Sequence, residues 1–126
     1  MPLAAILHQE PSPATQLAKY VRMNYNPDNT TILIFHEYGA FDMYTNQFRY
    51  YHCRKQIAIT FQALRAFSAT NNTILMTSTA YEYLVRHPLV RQLEVRKIIE
   101  FYIDPRAEIE DHRISLYMLR TVRLGT

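Results

Sequence analysis

Glycine is nearly missing: the chain of 126 residues holds two, Gly39 and Gly125. A phosphate-cradling loop needs clustered glycines so that bare backbone N–H groups can approach the anion. Neither a P-loop nor a dinucleotide fingerprint can therefore be built here, and no nucleotide cofactor is expected. No G-x-S-x-G turn exists to expose a serine nucleophile. Cysteine occurs once, at Cys53, which excludes an internal disulfide and the zinc patterns built on paired cysteines. Cys53 reads as a small buried hydrophobe. Its neighbour His52 would point to the opposite face of a strand and cannot serve it as a base. Tryptophan is absent. No apolar run approaches the roughly 18 residues of a membrane-spanning helix. The short apolar stretch at residues 3–7 lacks the basic flank of a signal peptide.

What is present is ordinary for a globular α/β domain: 48% hydrophobic and 20% charged residues. Tyrosine is the exception, with ten copies. Each buries a ring and keeps one polar handle, which suits a core rim, a partner surface or a carbohydrate-contacting face. The net charge is +3, and the excess lies in residues 51–126, which carry eleven Lys/Arg against seven Asp/Glu. No Lys/Arg run accompanies it, so no nucleic-acid partner is expected. An anionic membrane surface or a phosphorylated substrate is compatible with it.

Along the chain, residues 1–12 read as a flexible lead-in. Ser12-Pro13 is an N-cap followed by proline at the first helical position, and Leu17, Tyr20 and Val21 share one face of a helix over 13–24. Pro27-Asp28-Asn29 is a turn. The continuous apolar run Thr31–His36 predicts a strand covered on both faces. Residues 37–45 read as a loop with a short helical turn, and 48–53 as a more polar strand nearer an edge. Ile57, Phe61, Leu64 and Phe67 place a helix over 55–68, and 73–78 is a third strand. Thr79 is read as the cap of a helix over 80–86, with Glu82 completing a capping box. Residues 93–103 and 114–119 predict two strands joined by a charged loop, an antiparallel pair at the sheet edge. Residues 121–126 read as a tail. The order implies a single α/β domain over 13–120: a layered sandwich around a mixed, mostly parallel, Rossmann-like sheet.

In open α/β sheets ligands bind beyond the carboxyl ends of the strands. Those ends are His36-Glu37 and Ser78-Thr79, the ligand-binding candidates if the two strands are parallel neighbours; the simpler reading is that they satisfy nearby backbone. His36, Glu37, Asp42 and His52 match no metal-ligand spacing and no partnered nucleophile, so neither a metal nor a catalytic residue is assigned. Asp104, Arg106, His112 and Arg113 belong to the densest polar cluster, a solvated loop or a contact surface for a neighbouring domain or lipid headgroup. Asn29-Thr30-Thr31 and Asn71-Asn72-Thr73 match the glycosylation sequon, which has meaning only in a eukaryotic secretory protein.

The feature order resembles the soluble C-terminal domain of polytopic membrane glycosyltransferases, the dolichyl-phosphate-mannose-protein mannosyltransferase and aminoarabinose transferase relatives. The resemblance covers residues 14–120. It rests on the first helix, Asn26-Pro27, the strand at 31–36, the aromatic stretch Phe41–Tyr51, the helix and strand within 57–78, and Leu116-Tyr117-Met118-Leu119 at the end. It implies a non-catalytic auxiliary domain on the extracytoplasmic face, packed on the membrane portion of the same enzyme and near its lipid-phosphate-linked donor. In that family the reactive carboxylates lie in membrane-portion loops with no counterpart in these residues, so none is carried over. The alternative from the residues alone is a free-standing α/β interaction or small-ligand-binding protein.

Overall fold

The structure is a computed structural model and describes residues 12–35, 37–102 and 113–125. Its first element, α1 (Pro13–Asn24), begins where the cap chemistry requires: the Ser12 hydroxyl accepts from the Thr15 N–H at 3.2 Å. A 3-10 turn at Pro27–Asn29 leads into β1 (Thr30–Ile34), whose five residues are all buried. Then come α2 (Tyr38–Tyr44), β2 (Arg49–His52), α3 (Ile57–Ala66), β3 (Thr73–Thr77), α4 (Ser78–Arg86), β4 (Val90–Tyr102) and β5 (Arg113–Leu124).

The five strands form one mixed sheet in the order β2-β1-β3-β5-β4. β1 pairs in parallel with both β2 and β3, while β5 is antiparallel to β3 and to β4. The sequence expectation of parallel neighbours at 31–36 and 73–78 therefore holds, as does the antiparallel pair at the sheet edge; the structure places β4 outermost. The two kinds of pairing are evenly divided, rather than mostly parallel.

Two separate apolar clusters cover the two faces. One gathers Phe61 and Leu64 of α3 and Ala80 and Leu84 of α4 against Leu33, Ile74 and Met76. The other gathers Leu17, Ala18 and Val21 of α1 and Phe41 of α2 against Ile32, Ile34 and Leu75. Adjacent residues of β1 and β3 serve opposite clusters, which is why both strands read as unbroken apolar runs. The crossovers β1-α2-β2 and β2-α3-β3 run in opposite directions along the sheet and place their helices on opposite faces, as a common handedness requires.

Several expectations are corrected. The presumed loop at 37–45 contains a seven-residue helix, α2, anchored by Phe41 in the core. The cap of α4 is Thr77, whose hydroxyl accepts from the Ala80 N–H at 3.3 Å; Thr79 sits inside the first turn, so no capping box with Glu82 forms. The helix over 55–68 is α3 continued by a 3-10 turn at Phe67–Ala69. The tail at 121–126 is strand as far as Leu124, which pairs with Val90. Residues 103–112 lie outside the described residues, and with them Ile103 and most of the charged loop.

The β4–β5 ribbon hides its order from sequence because its register shifts between Val90/Gln92, Glu94/Val95 and Lys97/Ile99. Side chains in a strand alternate between faces, so each extra residue flips the pattern. Val90, Leu93 and Val95 pack with the α3–α4 cluster, whereas Ile98, Ile99 and Phe101 pack with the α1–α2 cluster. One ribbon thus serves both cores.

Candidate functional site

β1 and β3 are parallel neighbours whose chains leave in opposite directions. After β1 the chain passes through α2 to β2 at one sheet edge; after β3 it passes through α4 to β4 at the other edge. Such a divergence opens a crevice beyond the carboxyl ends of the two strands, the usual ligand position in sheets of this kind.

Glu37 follows the end of β1 and is 5% exposed. One carboxylate oxygen accepts from the Phe35 N–H at 3.0 Å and from the Thr77 hydroxyl at 3.4 Å. The other accepts from the Thr79 hydroxyl. The Thr77 and Thr79 hydroxyl oxygens stand 3.2 Å apart. Two segments 40 residues apart are thereby tied together by one acidic side chain. The negative charge sits at the N-terminal end of α4, where the helix dipole favours it. A position that in other sheets holds an anionic ligand is here filled by the protein's own carboxylate.

Of the four ligand-binding candidates, the fold brings Glu37 and Thr79 together. Ser78 turns the other way: its hydroxyl accepts from the Ser115 N–H at 3.1 Å and fastens α4 to β5. His36 lies outside the described residues. Asp42 accepts from the Tyr50 hydroxyl of β2 and is exposed, so it does not join Glu37. The backbone N–H of His52 donates to the Gln56 side chain at 3.0 Å.

Thr79 also lines a groove of about 390 Å³ with Phe35, Glu82, Tyr83, Arg86, His87 and Pro88. Its wall is a chain of rings: Phe35 to Tyr83 at 5.2 Å, Tyr83 to His87 at 6.1 Å, and His87 edge-on to Phe61 at 4.9 Å. His87 Nδ1 accepts from the Leu89 N–H at 3.3 Å, which leaves the ring proton on Nε2. Among the described residues neither Glu82 nor Arg86 makes an ion pair. The sequence reading missed Tyr83, Arg86 and His87. Their signal was available in the helical recurrence of 79, 83, 86 and 87 on one face of α4. What it could not show is that Phe35 from β1 closes that face.

Behind the crevice, Cys53 is fully buried and its backbone N–H donates to the Ile34 carbonyl at 2.9 Å. Burial pushes its thiol up to about 12; a Thr60 hydrogen bond opposes the shift and the nearby Glu37 charge adds to it. It is therefore a neutral thiol at physiological pH. Among the described residues no three His, Cys, Asp or Glu side chains come together in a metal-binding group. Of the proposed contact cluster, Asp104, Arg106 and His112 lie outside the described residues. Arg113 is exposed, with Nε 4.0 Å from Glu100. Hydrogen bonds from Lys97 and Ser115 hold the Glu100 carboxyl below its ordinary value.

No helix among the described residues is long and apolar enough to cross a membrane. No family model, curated protein or solved structure matches the chain.

Proposed function

We propose that this chain is a small-ligand-binding α/β domain, with its ligand in the groove between the end of β1 and α4. The observation that carries this reading is the Glu37–Thr77–Thr79 tie at the point where the chains of β1 and β3 diverge. Thr79 belongs both to this tie and to the groove wall, so the buried network sets the shape of the open site. In this reading the sheet works in a Rossmann-like manner, with the helix after the central strand forming one side of the site. Glu37 is a positioning residue here. Its charge already fills the end of α4, so the ligand lies farther out, with a flat apolar body against Phe35 and Tyr83. Polar groups of the ligand then face Glu82, Arg86 and the His87 Nε2–H.

The test is a fragment titration followed by amide NMR shifts. Flat, weakly polar fragments are expected to move the signals of residues 79–88 and Phe35, and Tyr83→Ala is expected to weaken binding about tenfold, the worth of one aromatic contact. Shifts scattered over the surface, or unchanged affinity in Tyr83→Ala, would overturn the assignment.

The resemblance supplies a second reading: an extracytoplasmic auxiliary domain of a membrane glycosyltransferase, packed against the membrane portion and near its lipid-phosphate donor. It is supported by the element order from the capped α1 through Asn26-Pro27 to the strand β5. Transmembrane segments in the same open reading frame, and co-purification with them, are the expected observations. A reading frame without such segments would sink it.

A further inference from the structure

The sequence has no basic run, yet the fold assembles one. β4 and β5 together carry six Lys/Arg and two Glu, an excess larger than the +3 of the whole chain. Within the ribbon, Val90, Leu93 and Val95 on one strand and Leu119, Val122 and Leu124 on the other pack toward α3 and α4. The two residues between Val90 and Leu93, and the two between Leu119 and Val122, are therefore turned away from that core by the register shifts. They are Arg91-Gln92 and Arg120-Thr121. Glu94, Arg96 and Arg123 alternate onto the same side. All of these except the half-buried Gln92 are exposed. The register sets Gln92 opposite Arg123 and Glu94 opposite Thr121. The result is an open ribbon face with four arginines and one acid, and that acid accepts from Gln92 at 3.0 Å.

We propose that this face of the β4–β5 ribbon docks on duplex DNA, with the ribbon in the major groove. That groove admits a two-stranded antiparallel ribbon, and Arg, Gln and Glu are the side-chain types that pair with base edges there. Arginines at the ends of the face meet the flanking phosphates. A bilayer is the poorer fit: among the described residues the exposed large apolar side chains, Met23, Met43, Ile59, Val85, Leu89 and Tyr102, all fall outside residues 90–96 and 118–124, so this face has nothing to insert. A protein partner is the poorer fit for the same reason, since the face offers no aromatic anchor. The surface lies on the α1 side of the sheet, where Met118, the register partner of Arg96, packs with the α1–α2 cluster, and at its end Arg120 and Thr121 border a groove with Arg65 of α3 and Ser68 just after it. Its docking does not depend on the groove beside α4.

The experiment uses the full chain and fluorescence anisotropy with a labelled DNA duplex of about 20 base pairs, titrated from about 50 to 200 mM salt. Binding is expected to weaken with salt at a log–log slope near −3, as for about three to four neutralised phosphates. Arg96→Ala and Arg123→Ala are each expected to weaken binding and to reduce the slope by about 1. Arg86→Ala, on α4, is expected to leave both unchanged. Duplex RNA is expected to bind more weakly, because its A-form major groove is too narrow to admit side chains. Absence of binding at low salt would overturn the proposal. So would equal affinity for duplex RNA, stronger binding to phosphatidylserine vesicles, or affinity unchanged in the Arg96→Ala/Arg123→Ala double variant.

Discussion

The parallel half of the sheet and the antiparallel ribbon solve the same problem in opposite ways. β1 and β3 are five residues each and buried on both faces, so each can be all apolar and each serves two cores at once. β4 and β5 run 13 and 12 residues, lie partly beyond the helices, and serve the two cores at different points along their length. The central parallel strands are closed off by burial on both faces; the ribbon changes face by register shifts and keeps charge on its exposed side. The difference teaches that depth of burial follows position in the sheet rather than length of strand: β2, the shortest at four residues, is a half-buried edge strand. The short central strands β1 and β3 hold the molecule together, and the longest carry its surface chemistry.

The comparison breaks first if the parallel half is not the stable one. Phe61→Ala removes a 5%-exposed ring that packs α3 on the sheet, and a loss of about 3–5 kcal/mol is expected in chemical denaturation. A loss well under 1 kcal/mol would mean that α3 does not anchor this face. The next effect is in pH. The Cys53 thiol is raised in the folded state from 9.0 to about 12, so its contribution is intact below about pH 9 and falls as pH rises toward 12. The unfolded chain ionises in that window while the folded one resists. The loss approaches about 4 kcal/mol at the alkaline end, and Cys53→Ala is expected to flatten that part of the stability profile relative to the parent. Profiles that remain parallel would show that the thiol is not held neutral.

Glu37→Ala sharpens the link between the core and the groove. It removes the acceptor of the Thr77 and Thr79 hydroxyls and of the Phe35 N–H, for an expected loss of about 1–3 kcal/mol. The same variant is expected to shift the amide signals of the first turn of α4. A stability loss without such shifts would mean that Glu37 does not position the groove. The smallest effect belongs to the ribbon: Val122→Ala, at a half-buried position near its end, is expected to cost roughly 1 kcal/mol, since only part of the side chain leaves the core. A cost equal to that of Phe61→Ala would erase the distinction between the halves.

How much of this was legible follows from particular residues. Ser12-Pro13 marked the start of α1 because cap chemistry is local, and the apolar runs at 31–34 and 74–76 marked the two central strands because two-sided burial leaves no alternation to misread. Glu37 and Thr79 were visible as strand-end residues, but their meeting was not, since 42 residues separate them. Thr77 was passed over as the cap because three hydroxyl residues stand in a row and only the backbone decides which one ends the strand. The continuation of β5 to Leu124 was missed because Arg120-Thr121 interrupts the alternation at a register shift.

The sequence by itself determined most of the element types, the two-sided burial of β1 and β3 and the lack of a glycine-rich phosphate loop. All of these depend on local periodicity, capping or composition, which need no partner from elsewhere in the chain. Only the tertiary structure decided that Glu37 fills the end of α4, that Phe35 closes the groove over Tyr83, and that Arg91, Arg96, Arg120 and Arg123 share one open face. Each is a meeting between segments distant in the chain, governed by sheet order and by register. A shift of one residue moves a side chain to the opposite face, and no count of charges along the chain contains that shift.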